Sequence, residues 1–258
     1  MARPSYPKSS GPPPPALPPA AQTVGQVVAE TIRTYGERFL LAVPLGVPLM
    51  VADQIALATG RSSDDAVRTV GGGSTSDVLT LVAASPAFSL GYAAACALVL
   101  RLRPSPARLA LATVAGTVLF APAAAFFPWF ALVSVAWLAL VGHTVPAIVA
   151  ENLGPVAALR RSWQLARADY VHALGGLAAL VVLFGLTRIV MAQLLKSQAD
   201  NTLRVAVALA DLVLSPLLYI GGVLIFVNLT ARVGLDREAR KAVREEAIAA
   251  MHTDRRTE

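Results

Sequence analysis

Three ionisable residues lie inside stretches of sequence that are otherwise apolar: Asp53, Arg188 and Asp211. A charged side chain is costly inside a bilayer, so its presence there is by default a hypothesis of function. Each of the three lies about six residues from the same side of the predicted bilayer, roughly 10 Å deep at about 1.5 Å per residue. Arg188 and Asp211 belong to neighbouring antiparallel helices. The spacing predicts an intramembrane ion network in which an arginine lies between two aspartates.

Two interpretations of this network differ in function. It is either a binding or proton-coupling site of a carrier, or a structural clamp that satisfies charges within a helix bundle. A carrier more often shows further polar residues along its path, and the polar candidates here are few. They are Gln54, Ser85, Ser89, Thr117, Ser134 and Ser215. The sequence favours the clamp and leaves the carrier as the alternative.

A second group of chemically active side chains precedes the fifth apolar stretch, in a segment that starts at Gly154 and Pro155. Apolar side chains recur there at steps of three and four, which predicts an amphipathic helix on the face of the bilayer. They are Leu159, Trp163, Ala166 and Tyr170. The residues that we expect to anchor this helix and to contact lipid headgroups carry charge or an interfacial aromatic ring. They are Glu151, Arg160, Arg161, Trp163 and Arg167.

A similar stripe predicts a first amphipathic helix over residues 24–39. Its members are Val24, Val28, Ile32, Tyr35 and Phe39. Both helices are expected on the cytoplasmic face of the membrane.

Two histidines and one cysteine remain as candidates for metal chemistry. Glu151 is the nearest third ligand for His143 and His172, but its position at the end of a span is unconvincing. We therefore expect histidines that are satisfied within the fold. The single cysteine, Cys96, excludes a disulfide framework and a cysteine-based metal site. No nucleophile elbow, phosphate loop or zinc-protease motif occurs, so the sequence predicts no cofactor and no catalytic activity.

The composition is that of a membrane protein. Of the 258 residues 55% are apolar and only 15% are charged, whereas a soluble domain is about 25% charged. The basic residues behind the net charge of +6 form no stripe, so we expect no nucleic-acid partner. Arginine outnumbers lysine by 19 to 3, which hints at a GC-rich bacterial genome.

Six stretches are long and apolar enough to cross a bilayer, which takes about twenty residues. They cover residues 39–59, 78–100, 109–127, 128–150, 171–194 and 205–229. We divide the third from the fourth at Pro128, where aromatic residues cluster, and a re-entrant pair is the alternative there. Prolines in every span but the fifth favour kinks. The predicted fold is an all-α integral membrane protein with six transmembrane helices and the two amphipathic helices.

The distribution of basic residues predicts the orientation. One set of loops and tails carries 17 lysines and arginines, and the opposite set carries four. By the positive-inside rule both termini lie in the cytoplasm of a plasma-membrane protein. Residues 1–20 are proline-rich and predict a disordered tail, residues 21–231 form the membrane domain, and residues 232–258 predict a charged helical tail. Either tail offers a site for a protein partner.

The segment from Val145 to Leu165 resembles a known bacterial family. Its pattern is a glutamate, a glycine, an Ala-Leu pair and then Arg-Ser-Trp-x-Leu before a span. Those residues are Glu151, Gly154, Ala158, Leu159, Arg161, Ser162, Trp163 and Leu165. The pattern is similar to that of the membrane domain attached to some glycerophosphoryl diester phosphodiesterases and of its stand-alone relatives, most of them of unknown function.

The resemblance covers roughly residues 22–231, including the less specific opening segment from Ile32 to Phe39. It implies the multi-span fold and the membrane location. It does not carry over the phosphodiesterase activity, because the chain has no counterpart of the soluble barrel with its metal-binding Glu and His residues. Asp169 and the proline-rich tail depart from the family pattern.

These observations predict a non-catalytic scaffold or accessory protein that is embedded in the membrane and contacts lipids. The rival hypothesis is a transporter or lipid-handling carrier that uses the three intramembrane charges. A membrane enzyme is a third and weaker interpretation.

Overall fold

The computed structural model of the chain describes residues 18–58, 75–127, 130–195 and 200–233, together with positions 239, 242, 245 and 246. All regular elements in these ranges are helices. Residues 1–17 of the predicted proline-rich tail, the division point at Pro128 and most of the predicted C-terminal helix lie outside the described residues. The four described positions in that C-terminal segment are helical.

The α-helices follow one another in this order: α1 Val24–Glu37, α2 Phe39–Ala42, α3 Val47–Ala58, α4 Thr75–Val99, α5 Pro106–Phe126, α6 Ala131–Val141, α7 Thr144–Ala150, α8 Pro155–Ala168, α9 Tyr170–Leu195 and α10 Asp200–Arg232. A 3-10 turn over Pro19–Ala21 precedes α1, and another over Val43–Gly46 joins α2 to α3. Thr23 begins α1 with a capping box, in which its hydroxyl and the Gln26 side chain satisfy each other's backbone N–H groups.

Six helical stretches in the described residues are long and apolar enough to cross a membrane, which confirms the six-span fold. They are Phe39–Ala58, Val78–Val99, Pro106–Phe126, Ala131–Ala150, Tyr170–Met191 and Arg204–Arg232. Large apolar side chains on their outer faces are exposed, among them Leu132 at 81% and Val118 at 68%. Such a surface suits lipid rather than water. By helix length and hydropathy the protein is a multi-pass membrane protein.

The fourth and sixth spans lie at the centre of the bundle. In an 18-residue apolar stretch of each span, 67% of the fourth span and 56% of the sixth are buried within the protein. The corresponding share for the third span is 17%. Helix α10 packs against the amphipathic helix α1 and against the transmembrane helices α3, α4 and α9, so it connects the two kinds of helix. The third span packs mainly on α4 at the edge of the bundle.

The fourth span is broken, in agreement with the kink that its proline favours. Helix α6 ends at Val141, and α7 begins at Thr144 after a turn at Gly142 and His143. Pro146 explains the break, because it lacks the N–H that would bond the carbonyl of Gly142. The first span is interrupted in the same way at Pro44, where the 3-10 turn replaces α-helix.

Pro216 lies inside α10 without ending it. It leaves the carbonyl of Leu212 without its usual donor four residues later. Gly46 of the first span fills that position so closely that an added Cβ would lie 2.2 Å from the Leu212 oxygen. The next carbonyl, that of Val213, accepts a hydrogen bond of 2.6 Å from the Tyr35 hydroxyl. The first and sixth spans therefore approach to backbone contact at their two proline sites.

Candidate functional site

The structure brings the three intramembrane charges together, each on a different span. The Arg188 guanidinium lies between the two carboxylates. Its Nη2 atom is 2.5 Å from Asp53 Oδ2, and its Nε atom is 3.3 Å from Asp211 Oδ1. Asp53 comes from α3, Arg188 from α9 and Asp211 from α10. None of the three is more than 5% exposed. The charge cluster of Asp53, Arg188 and Asp211 thus connects the first, fifth and sixth spans inside the bundle.

The surroundings of the charge cluster are closely packed. The Arg188 guanidinium lies 5.5 Å from the centre of the Phe184 ring, one turn earlier on α9. Ser215 donates its hydroxyl to the backbone carbonyl of Asp211 at 2.6 Å, one turn earlier on α10. The contact of Gly46 with Leu212 is one residue from Asp211 along α10. The cluster is therefore part of a tight interface between helices.

The polar residues that a carrier would need along a path form hydrogen bonds to backbone carbonyls instead. Each of the five hydroxyls donates to a carbonyl of its own or a neighbouring helix, at 2.6 to 2.9 Å. They belong to Ser85, Ser89, Thr117, Ser134 and Ser215. Gln54 donates to the carbonyl of Arg204 at 3.5 Å. This arrangement is that of structural hydroxyls, which favours the clamp interpretation of the charge cluster.

Helix α8 is fixed to the end of the fourth span by a bidentate ion pair. Arg161 donates from Nε to Glu151 Oε2 at 3.0 Å and from Nη2 to Glu151 Oε1 at 3.1 Å. The Ser162 hydroxyl donates to the carbonyl of Leu140 at 2.6 Å, beside the break between α6 and α7. Arg161, which we expected to contact lipid, is thus engaged with a protein carboxylate. Glu151 and Arg161 set the orientation of α8.

The exposed face of α8 combines apolar and basic side chains. Val156 is 69% exposed and Trp163 is 43% exposed, with Leu159 between them. Arg160 and Arg167 are exposed on the adjoining side. The Arg167 guanidinium lies 5.4 Å from the centre of the Trp163 ring. We call these five residues the α8 surface.

The predicted apolar stripes are only partly correct. Ala166 of the second stripe is buried against the bundle, and the Tyr170 hydroxyl donates to the carbonyl of Ala136 at 3.2 Å. Helix α1 likewise docks through Val27, Thr31 and Tyr35. Small or hydroxyl-bearing side chains make up most of these docking faces, beside Val27 in α1 and Leu165 in α8, and a count of large apolar residues does not detect them. Burial raises the pKa of Tyr35, so its hydroxyl remains a donor to Val213.

The expectation of satisfied histidines is wrong for His143. Its ring is 5% exposed, and neither nitrogen has a hydrogen-bond partner among the described residues. The Nε2 atom of His172 also lacks one there. Within the described ranges no group of three His, Cys, Asp or Glu side chains is placed to hold a metal ion. Cys96 is buried in the core.

A polar junction at one end of α10 was missed from the sequence. Arg232 donates from Nη1 to Asp169 Oδ2 at 2.6 Å and from Nη2 to the carbonyl of Gln22. The other oxygen of Asp169 accepts from the backbone N–H of His172 and caps α9. Asn228 donates to the Gln22 side chain at 3.0 Å. An aspartate directly before an apolar run is an N-cap signal that was available from sequence, whereas the pairing with Arg232 was not.

No family model, curated protein or solved structure matches the chain. The resemblance of the segment from Val145 to Leu165 to the phosphodiesterase-associated membrane domains therefore stays a prediction.

Proposed function

We propose that the protein is a non-catalytic membrane scaffold that presents the α8 surface to the headgroups of anionic lipids. The observation that carries this proposal is the composition of that surface. Two exposed arginines, Arg160 and Arg167, flank three exposed apolar side chains on a helix that is held rigidly by the protein. Arginine donors match phosphate oxygens, and tryptophan prefers the interface between headgroups and acyl chains.

The anchoring of α8 supports a presenting role. Its inner face is buried, and the pair of Glu151 with Arg161 joins it to the fourth span. Both residues belong to the pattern that resembles the phosphodiesterase-associated family. A helix with only a lipid-seeking function would not need this connection. We infer that the bundle holds α8 at a fixed angle to the membrane surface.

We further propose that α8 and both termini lie on the cytoplasmic side of the plasma membrane. The support is the excess of basic residues on the tails and loops of that side. Anionic lipids are enriched in the cytoplasmic leaflet in many membranes, so the orientation and the lipid proposal agree.

Lipid retention tests the proposal. The intact protein is purified in native-lipid particles and its lipids are quantified by mass spectrometry. We expect the double variant Arg160→Glu and Arg167→Glu to lose most of the enrichment of anionic phospholipid. The matched control is Arg103→Glu, an exposed arginine in the connection between α4 and α5. If the wild type, the double variant and Arg103→Glu retain equal amounts of anionic phospholipid, the α8 proposal is refuted. If the double variant and Arg103→Glu lose equal amounts, the retention depends on overall charge and not on α8.

The charge cluster supports a second candidate function, that of a proton-coupled carrier. The three ionisable side chains lie on three spans, of which the first is interrupted at Pro44 and the sixth contains Pro216. Intramembrane charges and broken helices are the elements that such a mechanism uses. The test is proton flux into proteoliposomes that contain a pH-sensitive dye. A carrier predicts that Asp211→Asn abolishes the flux of a normally folded protein. A clamp predicts no flux in the wild type and reduced accumulation of the variant.

A further inference from the structure

The break in the fourth span places three unpaired polar atoms in the interior. Both ring nitrogens of His143 and the hydroxyl of Thr144 have no hydrogen-bond partner in the described part of the chain. His143 is 5% exposed and Thr144 is 1% exposed. The atoms belong to successive residues at the point where α6 stops and α7 begins. They lie in the fourth span, which has the largest buried share of the six.

Unpaired polar atoms are rare in a protein interior. Burial removes the hydrogen bonds that such an atom makes with water, and without a protein partner nothing replaces them. The serine, threonine and tyrosine hydroxyls described above within the bundle donate to backbone carbonyls, so the fold has the means to satisfy such groups. Leu140, three residues before His143, has its carbonyl satisfied by Ser162. His172 Nε2 and the Thr230 hydroxyl also lack a partner in the described ranges, but His143 and Thr144 place three such atoms on two successive residues.

The site is enclosed by protein. Helix α7 is buried at Thr144–Val149 and packs against α4, α5 and α8. The His143 ring lies beside Phe226 of α10, with 6.4 Å between the ring centres. Irregular backbone at membrane depth is tolerated where it is buried in protein or where it lines a water-filled cavity. The break at His143 and Thr144 meets the first condition.

We propose that His143 and Thr144 form an internal binding site for a neutral hydroxyl group. A neutral imidazole offers one donor and one acceptor, and a threonine hydroxyl offers both, so an incoming O–H group finds matching partners. A charged ligand fits less well, because none of the ion pairs of the described residues involves His143. The hydroxyl belongs either to a bound water or to an alcohol that comes from the membrane. The site does not depend on the lipid contact proposed for α8.

Substitution by apolar residues separates an occupied site from a dry one. In a dry site, Thr144→Val and His143→Phe remove unsatisfied groups and raise the melting temperature. In an occupied site, the same changes lose hydrogen bonds to the bound hydroxyl and lower it, by roughly 2–4 °C for each bond of about 1 kcal/mol. His143→Gln keeps a donor and an acceptor and should retain most of the wild-type value. The matched control is Thr31→Val, whose buried hydroxyl donates to Val27 at 2.7 Å.

The two sources of the hydroxyl are distinguished by measuring melting both in native-lipid particles and in delipidated detergent solution. A lower melting temperature of Thr144→Val and His143→Phe in both media indicates bound water. A lower temperature in native-lipid particles alone indicates a membrane-derived alcohol, which mass spectrometry should detect in the wild type and not in His143→Phe. The Thr31→Val control loses one buried hydrogen bond and shows how far such a loss lowers the melting temperature. If Thr144→Val and His143→Phe melt at or above the wild-type temperature in both media, the proposal is overturned.

Discussion

Arg188 in the bundle and Arg160 on α8 carry the same charge in opposite surroundings. Arg188 lies between two aspartates, with 4% of its side chain exposed, whereas Arg160 is exposed beside apolar side chains. The buried arginine has its hydrogen-bonding capacity directed at protein carboxylates, and the exposed one keeps its donors for an external phosphate. Arg161, the next residue, lies between these extremes, because it pairs with Glu151 while 23% of its side chain stays exposed.

The difference favours two separate uses of charge in this protein. The buried charges join the first, fifth and sixth spans through ion pairs, as a clamp would. The exposed charges on α8 are available for contact outside the chain. Changes in the charge cluster should therefore affect folding, and changes on the α8 surface should affect lipid contact with little effect on folding.

The largest effect is expected for Arg188→Leu. Removing the guanidinium leaves two buried carboxylates without this partner, and breaking a buried pair in this way costs about 3–5 kcal/mol. Thermal unfolding in native-lipid particles should show a large loss of stability or no folded protein at all. Arg188→Lys keeps the charge without the fork of donors and should retain part of the stability. A stable, wild-type-like Arg188→Leu protein would contradict the clamp.

A smaller loss is expected for Gly46→Ala, which tests how rigidly the charge cluster is enclosed. The new Cβ would lie 2.2 Å from the Leu212 backbone oxygen, so one of the two spans must shift. Overpacking of this kind costs about 1–3 kcal/mol. Gly25→Ala is the control, since an added Cβ there meets no atom within 4 Å. Equal melting temperatures for the two variants would show that the interface of the first and sixth spans yields easily.

The smallest effect on stability is expected for Glu151→Gln. The change removes the charge of the pair with Arg161, in which 26% of the Glu151 side chain and 23% of the Arg161 side chain are exposed. An ion pair that solvent reaches contributes at most about 1 kcal/mol after screening. We expect near-normal melting but faster hydrogen exchange in α8, because the helix loses one of its two connections. Unchanged exchange over Pro155–Ala168 would mean that Ser162 and the buried face alone position α8.

The features of the fold that depend on the hydropathy and spacing of individual residues were predictable from the sequence. Long apolar stretches and the rarity of charge within them were enough for the six spans, and helical spacing was enough for two amphipathic segments. The proximity of Asp53, Arg188 and Asp211 followed from counting residues along antiparallel helices. These features depend on the free energy of transfer into a bilayer, which is a property of each side chain.

The features that sequence reasoning missed depend on contacts between distant segments. Pro146 predicted a kink in the fourth span, but the pattern did not show that the helix stops at Val141 and begins again at Thr144. The partner of Arg161 is ten residues away across a turn, and that of Asp169 is Arg232 at the far end of α10. The docking face of α8 places Leu165 among the small residues Ala158, Ser162 and Ala166, and these small residues have little hydropathy signal of their own.

Photo-crosslinking from position 163 in native membranes tests the central claim most directly. A photoreactive aromatic amino acid replaces Trp163 on the α8 surface, and the same group at Leu165, which is fully buried in the adjoining face, serves as the control. The account predicts that position 163 forms adducts with anionic phospholipid and that position 165 crosslinks within the chain. Adducts of position 163 with the chain itself, or no lipid adduct above the level of position 165, would contradict it.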